Sequence, residues 1–164
     1  MRLVFITAIC AMVLIGGILR QADAQSQRTD LQGWSVTIGN AKKSNSLNPR
    51  PSGGTYMIYS PQFHGADYFI IVPLKLEKGR DAGDLIFTRE STYLQDAAGA
   101  KSKMYGTVDK DGFYEDGVIK TTYTKSLDAK LVFCVSGEAN QYQLVLAEGI
   151  APIAVSVEAG NAHK

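Results

Sequence analysis

Apolar and polar residues alternate with a period of two along most of the chain after residue 33. The clearest case is "DYFIIVPLKLEK" (67–78), in which one face carries Tyr68, Ile70, Val72, Leu74 and Leu76. Successive side chains of a strand point to opposite faces, so this pattern predicts a strand with one buried face. Pro73 has no amide hydrogen, and we expect it at a bulge or where the nitrogen side of the strand is unpaired.

The remaining periodic segments are short and bounded by Gly, Asn or Ser-rich turns, which is typical of strands. They are 34–38, 55–60, 84–88, 92–95, 103–105, 118–126, 129–136, 142–149 and 150–158. Residues 39–54 have many turn formers and no apolar period, and this predicts a long mobile connection. No window of a dozen residues after the first 24 has apolar residues at helical spacing.

These patterns predict an all-β fold, specifically an immunoglobulin-like antiparallel β-sandwich. Residues 131–135 are apolar on both faces, like the centre of a sheet, whereas 142–146 alternate between apolar and polar positions. This contrast favours a sandwich over a barrel, because a barrel around a ligand would make the inward faces more uniform. The order of the strands in space, which decides between the two, is not given by the sequence.

The N-terminal residues have the pattern of a secretory signal peptide. Arg2 precedes an apolar run over 3–19, and Ala22 and Ala24 form an A-x-A cleavage pattern. We therefore expect a signal peptide over 1–24, a disordered segment over 25–33, the sandwich domain over 34–158 and a flexible tail over 159–164. The expected location is periplasmic or secreted, with no membrane span after cleavage; an uncleaved membrane anchor is the alternative.

The charge balance bears on the class of partner. Without residues 1–24 the chain has 17 − 2 = 15 basic and 16 − 1 = 15 acidic side chains. A balanced chain exerts no long-range attraction on phosphate backbones or anionic lipids, which argues against nucleic-acid binding. About 140 residues remain, the size of one domain.

The stretch from about Asp67 to Val135 resembles a bacterial immunoglobulin-like domain family of unknown function that is found on exported proteins. The resemblance rests on "YFIIVPLKLEK", on "LIFTRESTYLQDAAGAKSKMY", where an Asp and a Gly precede a returning aromatic strand, and on "AKLVFCV". This chain has Lys78-Gly79 where the family has an asparagine. The resemblance implies an exported sandwich and gives no catalytic residues to transfer.

Cys134 is the only cysteine after the predicted signal peptide, so it cannot form a disulfide within the mature chain. It lies between Phe133 and Val135 in an apolar run, and we interpret it as a side chain that fills the core, where burial raises a thiol pKa. An intermolecular bridge and a reactive thiol paired with His64 are the alternatives.

No group of residues has the types and spacing of a catalytic, metal or cofactor site, so we expect no enzyme activity and no cofactor. The nearest candidate for calcium is the acidic loop with Asp109, Asp111, Glu115 and Asp116. It lacks the ligand spacing of a helical calcium loop, and a solvated hairpin explains it as well. The two imidazoles and one thiol do not have zinc-site spacing.

One segment favours binding, because aromatic residues near a loop-rich edge give a large contact area at low entropy cost. The candidate partner surface is formed by Tyr56, Tyr59, Phe63 and His64, and core packing is the alternative for the tyrosines. The sequence therefore predicts a non-catalytic binding or accessory module with an unknown protein or cell-envelope partner. A β-barrel carrier of a small apolar ligand and a hydrolase whose carboxylates meet in the fold are the alternatives.

Overall fold

The computed structural model describes residues 27–48, 58–115 and 117–158. The predicted signal peptide (1–24) and tail (159–164) lie outside the described residues. The described chain forms strands β1 (Gln27–Leu31), β2 (Trp34–Ile38), β3 (Ala41–Ser44), β4 (Tyr68–Lys78), β5 (Ile86–Phe87), β6 (Tyr93–Gln95), β7 (Lys101–Val108), β8 (Phe113–Glu115), β9 (Ile119–Lys120), β10 (Ser126–Val135), β11 (Gln141–Val145) and β12 (Ile153–Glu158). A 3-10 helix spans Pro61–His64. None of the helical residues in these ranges forms a segment long and apolar enough to cross a membrane.

Seven strands close into a barrel in the order β4, β10, β7, β6, β11, β12 and β3, and β3 pairs back onto β4. Neighbouring strands are antiparallel except β12 and β3, which run parallel. The β1–β2 hairpin extends the sheet from β4, β8 pairs with β7, and β5 pairs with β9 in a separate small sheet. The predicted all-β class is confirmed, and the β3–β4 pairing joins the layers of the predicted sandwich into one closed sheet.

Closure depends on the length of β4, which has different partners along its two halves. Phe69–Ile71 pair with β3, whereas 74–78 pair with β2. Pro73 lies between these two ladders, and its carbonyl accepts a hydrogen bond of 2.9 Å from the amide of Gly39, in the β2–β3 connection. The missing amide hydrogen of Pro73 therefore falls where no strand needs it, as the sequence predicted.

Apolar side chains fill the interior, since every second residue of a strand points inward. Strand β10 contributes Leu131, Phe133 and Val135, and neighbouring strands contribute in the same way. The largest fully buried members of this interior cluster are Trp34, Ile70, Leu76, Phe87, Leu94, Met104, Leu131, Phe133, Leu144 and Leu146. This packing gives no support to the alternative of a barrel around an apolar ligand.

The segment 25–33, predicted to be disordered, contains β1 from Gln27 onward. β1 pairs along its whole length with β2, and the turn places Gln32 and Gly33 at φ 50° and 82°, as in the type I′ turns of hairpins. All β1 side chains except Leu31 are exposed, so the strand has no apolar face. Backbone hydrogen bonds to β2 hold it in place. The prediction of disorder is therefore wrong for residues 27–33.

The segment 39–54, predicted to be a mobile connection, contains β3. Only Ala41 of this strand is buried, and pairing with β4 and β12 holds the strand in place. The prediction is therefore wrong for 41–44. The predicted strand at 55–60 is described only from residue 58, where Tyr59 forms a single bridge with Leu47.

A second apolar cluster lies on the outer face of the barrel. Its buried members are Leu47, Phe69, Tyr105 and Val132. Phe69 and Val132 alternate with inward-pointing neighbours on β4 and β10, which places them on the opposite face from the interior cluster. We call this second group the outer cluster. Phe113 of β8 packs against it and shields it from solvent.

The close approach of β8 to β7 requires a glycine at position 106. A Cβ atom there would lie 2.6 Å from both Phe113 Cε2 and the Tyr114 carbonyl oxygen. We expect Gly106→Ala to lower the free energy of unfolding by about 1–3 kcal/mol, measured by chemical denaturation. The control is Gly83→Ala, because a Cβ at Gly83 meets nothing within 4 Å, and we expect a change of less than about 0.5 kcal/mol. Equal effects would contradict this packing.

Candidate partner surface and adjoining cleft

The 3-10 helix holds part of the predicted partner surface away from the barrel. Pro61 at its start is buried, and Gly65 ends the helix at φ 67°. The amide of Ala66 donates to the Pro61 carbonyl at 3.1 Å, which closes the turn. Phe63 points into solvent and is 85% exposed.

Three hydrogen bonds tie the residues after the helix to the end of β10. The Asp67 amide donates to the Val135 carbonyl at 3.0 Å, and an Asp67 carboxylate oxygen accepts from the Gly137 amide at 2.8 Å. The hydroxyl of Ser136 donates to the Gly65 carbonyl at 3.3 Å. The helix that carries Phe63 is therefore fixed to a strand of the barrel.

The four predicted surface residues do not form one surface. Tyr56 lies outside the described residues. Tyr59 is half-buried, and its ring meets Phe113 edge-on at 4.7 Å between centroids. Phe63 and His64 are exposed, and the His64 ring lies 4.4 Å from that of Tyr105. Tyr59 thus has the packing role that the alternative predicted, whereas Phe63 and His64 stay available to a partner.

Cys134 points to the outside of the barrel, where it packs, half-buried, against the outer cluster. The sequence predicted that Cys134 fills the core between two sheets, and this location is wrong. In the closed sheet β10 has only one face toward the interior, and Phe133 and Val135 occupy that face. Burial raises the thiol pKa to about 11, although Arg89 lowers it. The thiol and the imidazole of His64 line the same cleft, but no hydrogen bond joins them.

The cleft opens where the ladder between β10 and β7 stops. That ladder ends at Phe133 and Met104, so Cys134–Ser136 and the first residues of β7 are unpaired with each other. The resulting space has a volume of about 430 Å³. Its chemically active lining residues are His64, Arg89, Asp96, Lys101, Lys103, Tyr105, Cys134 and Tyr142.

Sequence reasoning missed the cationic side of this cleft. Lys101 and Lys103 are two positions apart on β7, so their side chains share one face with Tyr105. The alternation in "KSK" was a usable signal for this face. No sequence pattern brings Arg89 or Tyr142 to the same place, because their proximity follows from the strand order.

The acidic loop forms the turn between β7 and β8. One carboxylate oxygen of Asp109 accepts from the amides of Asp111 and Gly112 at 2.8 and 3.2 Å, and Lys110 pairs with Asp111 at 3.0 Å. Glu115 is in β8, and Asp116 lies outside the described residues. Within the described ranges, no group of three His, Cys, Asp or Glu residues could hold a metal ion.

Comparisons with known proteins show the fold class and no family. No protein-family model and no curated protein matches the chain. One similar solved structure is that of an uncharacterized beta-sandwich protein from Clostridium difficile 630, with a TM-score of 0.51 and 13% sequence identity; the match covers 80% of this chain and 89% of that one. The chain is therefore an all-β protein that shares its fold class with this β-sandwich structure, and in this chain the β3–β4 pairing closes the sheet. Its resemblance to an immunoglobulin-like family stays a prediction.

The raised pKa of Cys134 predicts a slow alkylation reaction. Because only the thiolate reacts, we expect alkylation of native Cys134 by iodoacetamide to be at least about tenfold slower at pH 8 than in the denatured chain. The native rate should still rise between pH 9 and pH 10, where the denatured chain levels off. Mass spectrometry of the Cys134 peptide measures both rates. A native rate that levels off below pH 9 would contradict the burial of this thiol.

Proposed function

We propose that the chain is an exported, non-catalytic binding module that contacts a protein or cell-envelope partner through Phe63, His64 and the adjoining rim of the cleft. The observation that carries this proposal is an 85% exposed phenylalanine on a helix whose other side is anchored by buried Pro61. A large aromatic side chain on an anchored backbone contributes contact area on binding, and the backbone there loses little further conformational entropy.

The surroundings of Phe63 support a role in recognition. The ring of His64, the next residue, contacts the ring of Tyr105 in the outer cluster. Arg89 lines the adjoining cleft. Aromatic residues and arginine are enriched among the residues that dominate binding energy at protein interfaces. The hydrogen bonds from the Asp67 amide to the Val135 carbonyl and from the Ser136 hydroxyl to the Gly65 carbonyl reduce the entropy that this surface would lose on binding.

The absence of catalysis belongs to the same proposal. Cys134 is the strongest nucleophile in the cleft, and its pKa of about 11 keeps it in the thiol form at neutral pH. His64 is directed at the Tyr105 ring and makes no hydrogen bond to the thiol. A nucleophile needs a base within hydrogen-bond reach, and this pair does not have that arrangement.

Export is proposed from the sequence of residues 1–24, which has a basic residue, an apolar run and an A-x-A pattern in the order of a secretory signal. A single cysteine after residue 24 suits an oxidising compartment, because no wrong intramolecular disulfide can form there. The module would then work in the periplasm or outside the cell.

Photo-cross-linking in intact cells tests the partner surface. A photoreactive phenylalanine analogue replaces Phe63 in one variant and Tyr123 in a control. Tyr123 is also an exposed aromatic residue, but it precedes β10, whereas the cleft lies at the end of that ten-residue strand, about 30 Å away. We expect a discrete adduct from position 63 and none from position 123.

Competition shows whether the adduct depends on the aromatic side chain. Excess unlabelled wild-type protein added to the cell envelope should abolish the adduct, whereas excess Phe63→Ala protein should leave it at least about fivefold stronger. Equal competition by the two proteins, or an adduct from position 123 alone, would contradict the proposed surface. Recovery of the protein in the cytoplasm with residues 1–24 attached would contradict export.

A further inference from the structure

The cleft beside the 3-10 helix has an excess of positive charge. Arg89, Lys101 and Lys103 line it together with the carboxylate of Asp96. A second carboxylate, that of Glu115 on β8, acts on the lining residues Tyr105 and Cys134. This excess contrasts with the balance of the whole chain, in which 17 basic residues face 16 acidic ones. Cationic side chains gathered around a concave space raise the local concentration of anions.

The carboxylate of Asp96 is already engaged in the turn between β6 and β7. One of its oxygens accepts hydrogen bonds from the amides of Ala98 and Ala100 at 2.9 and 2.8 Å. Asp96 therefore stabilises the hairpin. Within the described part of the chain, no carboxylate lies within ion-pair distance of Lys101 or Lys103.

The two lysines differ in what holds them. The ammonium group of Lys101 lies 4.5 Å from the centroid of the Tyr93 ring, a cation–π contact that fixes its position. Lys103 is exposed and has no such aromatic contact. Because Lys103 lines the cleft and is free to reorient, it can follow an anion that enters.

Tyr142 supplies the observation that points to a ligand. Its side chain is only 4% exposed and lines the cleft at the gap between β10 and β7. Its hydroxyl is buried and has no hydrogen-bond partner among the residues that the structure describes. Buried polar groups in folded proteins are almost always paired, so an unpaired donor beside a cationic cleft indicates an acceptor that comes from outside the chain.

The ionisation state of Tyr142 is consistent with a donor. Burial, and then the nearby charge of Asp96, raise the pKa of its hydroxyl above the ordinary value of a tyrosine. The hydroxyl therefore carries its proton throughout the neutral range. A protonated hydroxyl donates to an oxyanion and adds no negative charge that would repel it.

We propose that this cleft is a binding site for a small organic oxyanion, a carboxylate or a phosphate ester, whose oxygens pair with the ammonium group of Lys103 and accept a hydrogen bond from the Tyr142 hydroxyl. The volume of about 430 Å³ suits a small molecule. Phe63 does not line this space, so a change of Phe63 alone tests the partner surface without altering the anion site.

Calorimetric titration of the full chain with three probes tests the site. Phenyl phosphate and benzoate carry the two oxyanions on the same ring, and benzyl alcohol is the neutral control. We expect saturable binding of at least one anionic probe and at least tenfold weaker binding of benzyl alcohol. The stronger of the two anionic probes identifies the preferred oxyanion. Benzyl alcohol binding as tightly as both anions would overturn the proposal.

Matched charge variants separate a specific site from general attraction. Lys103→Gln should weaken binding of the preferred anion at least tenfold. Lys125→Gln removes the same charge just before β10, at the far end of that strand, and should change binding less than twofold. Equal losses in the two variants would overturn the site.

Tyr142→Phe distinguishes a ligand donor from a structural hydroxyl. Because the hydroxyl has no partner in the described ranges, we expect an unchanged or higher melting temperature together with at least fivefold weaker anion binding. A lower melting temperature with unchanged binding would overturn the role of Tyr142. Phe63→Ala should retain full anion binding, so failure of this site and failure of the partner surface can be told apart.

Discussion

The pairing of β3 with the first half of β4 is the constraint on which the rest of the structure depends. It places Lys42–Ser44 opposite Phe69–Ile71 and closes the sheet into a ring of seven strands. Closure removes two exposed strand edges, which are sites of unwanted pairing in open sheets. It also gives each strand of the ring one interior face and one outer face.

The outer cluster is a direct consequence of closure. Strands β4 and β10 are apolar on both faces, so their outward-pointing apolar side chains must be covered by other residues on the outer face of the barrel. Phe113 and Tyr59 provide that cover, and the ring of Tyr105 connects it to His64. Tyr59, just before the 3-10 helix, and His64, at its end, thus contact the outer face of the barrel, and Phe63 lies beside the cleft.

The sequence predicts the strands that bury side chains and misses those that do not. The sequence predicts strand β4, strand β10 and the β6–β7 hairpin, because the alternation of apolar and polar residues indicates which side chains are buried. Strands β1 and β3 have almost no buried side chains, and only backbone pairing forms them. No propensity in "AKKS" reveals that this short segment closes the sheet.

The sequence likewise predicts one part of the candidate site and misses another. The exposure of Phe63 and His64 agrees with the predicted surface, since "SPQFHG" has turn formers around two rings. The outward direction of Cys134 could not be predicted, because in an apolar run either face can be the inner one. The cleft depends on where the β10–β7 ladder stops, and that register is set by a shift between Val132 and Phe133.

The most direct test of this account is a nuclear magnetic resonance measurement of cross-strand contacts from β3. Closure of the sheet predicts backbone contacts of Lys43 with Ile70 on one side and of Ala41 with Val157 on the other, together with slowed amide exchange in β3. Contacts with only one neighbour, or amides in β3 that exchange as in an unpaired segment, would mean that the sheet is open and would contradict the account.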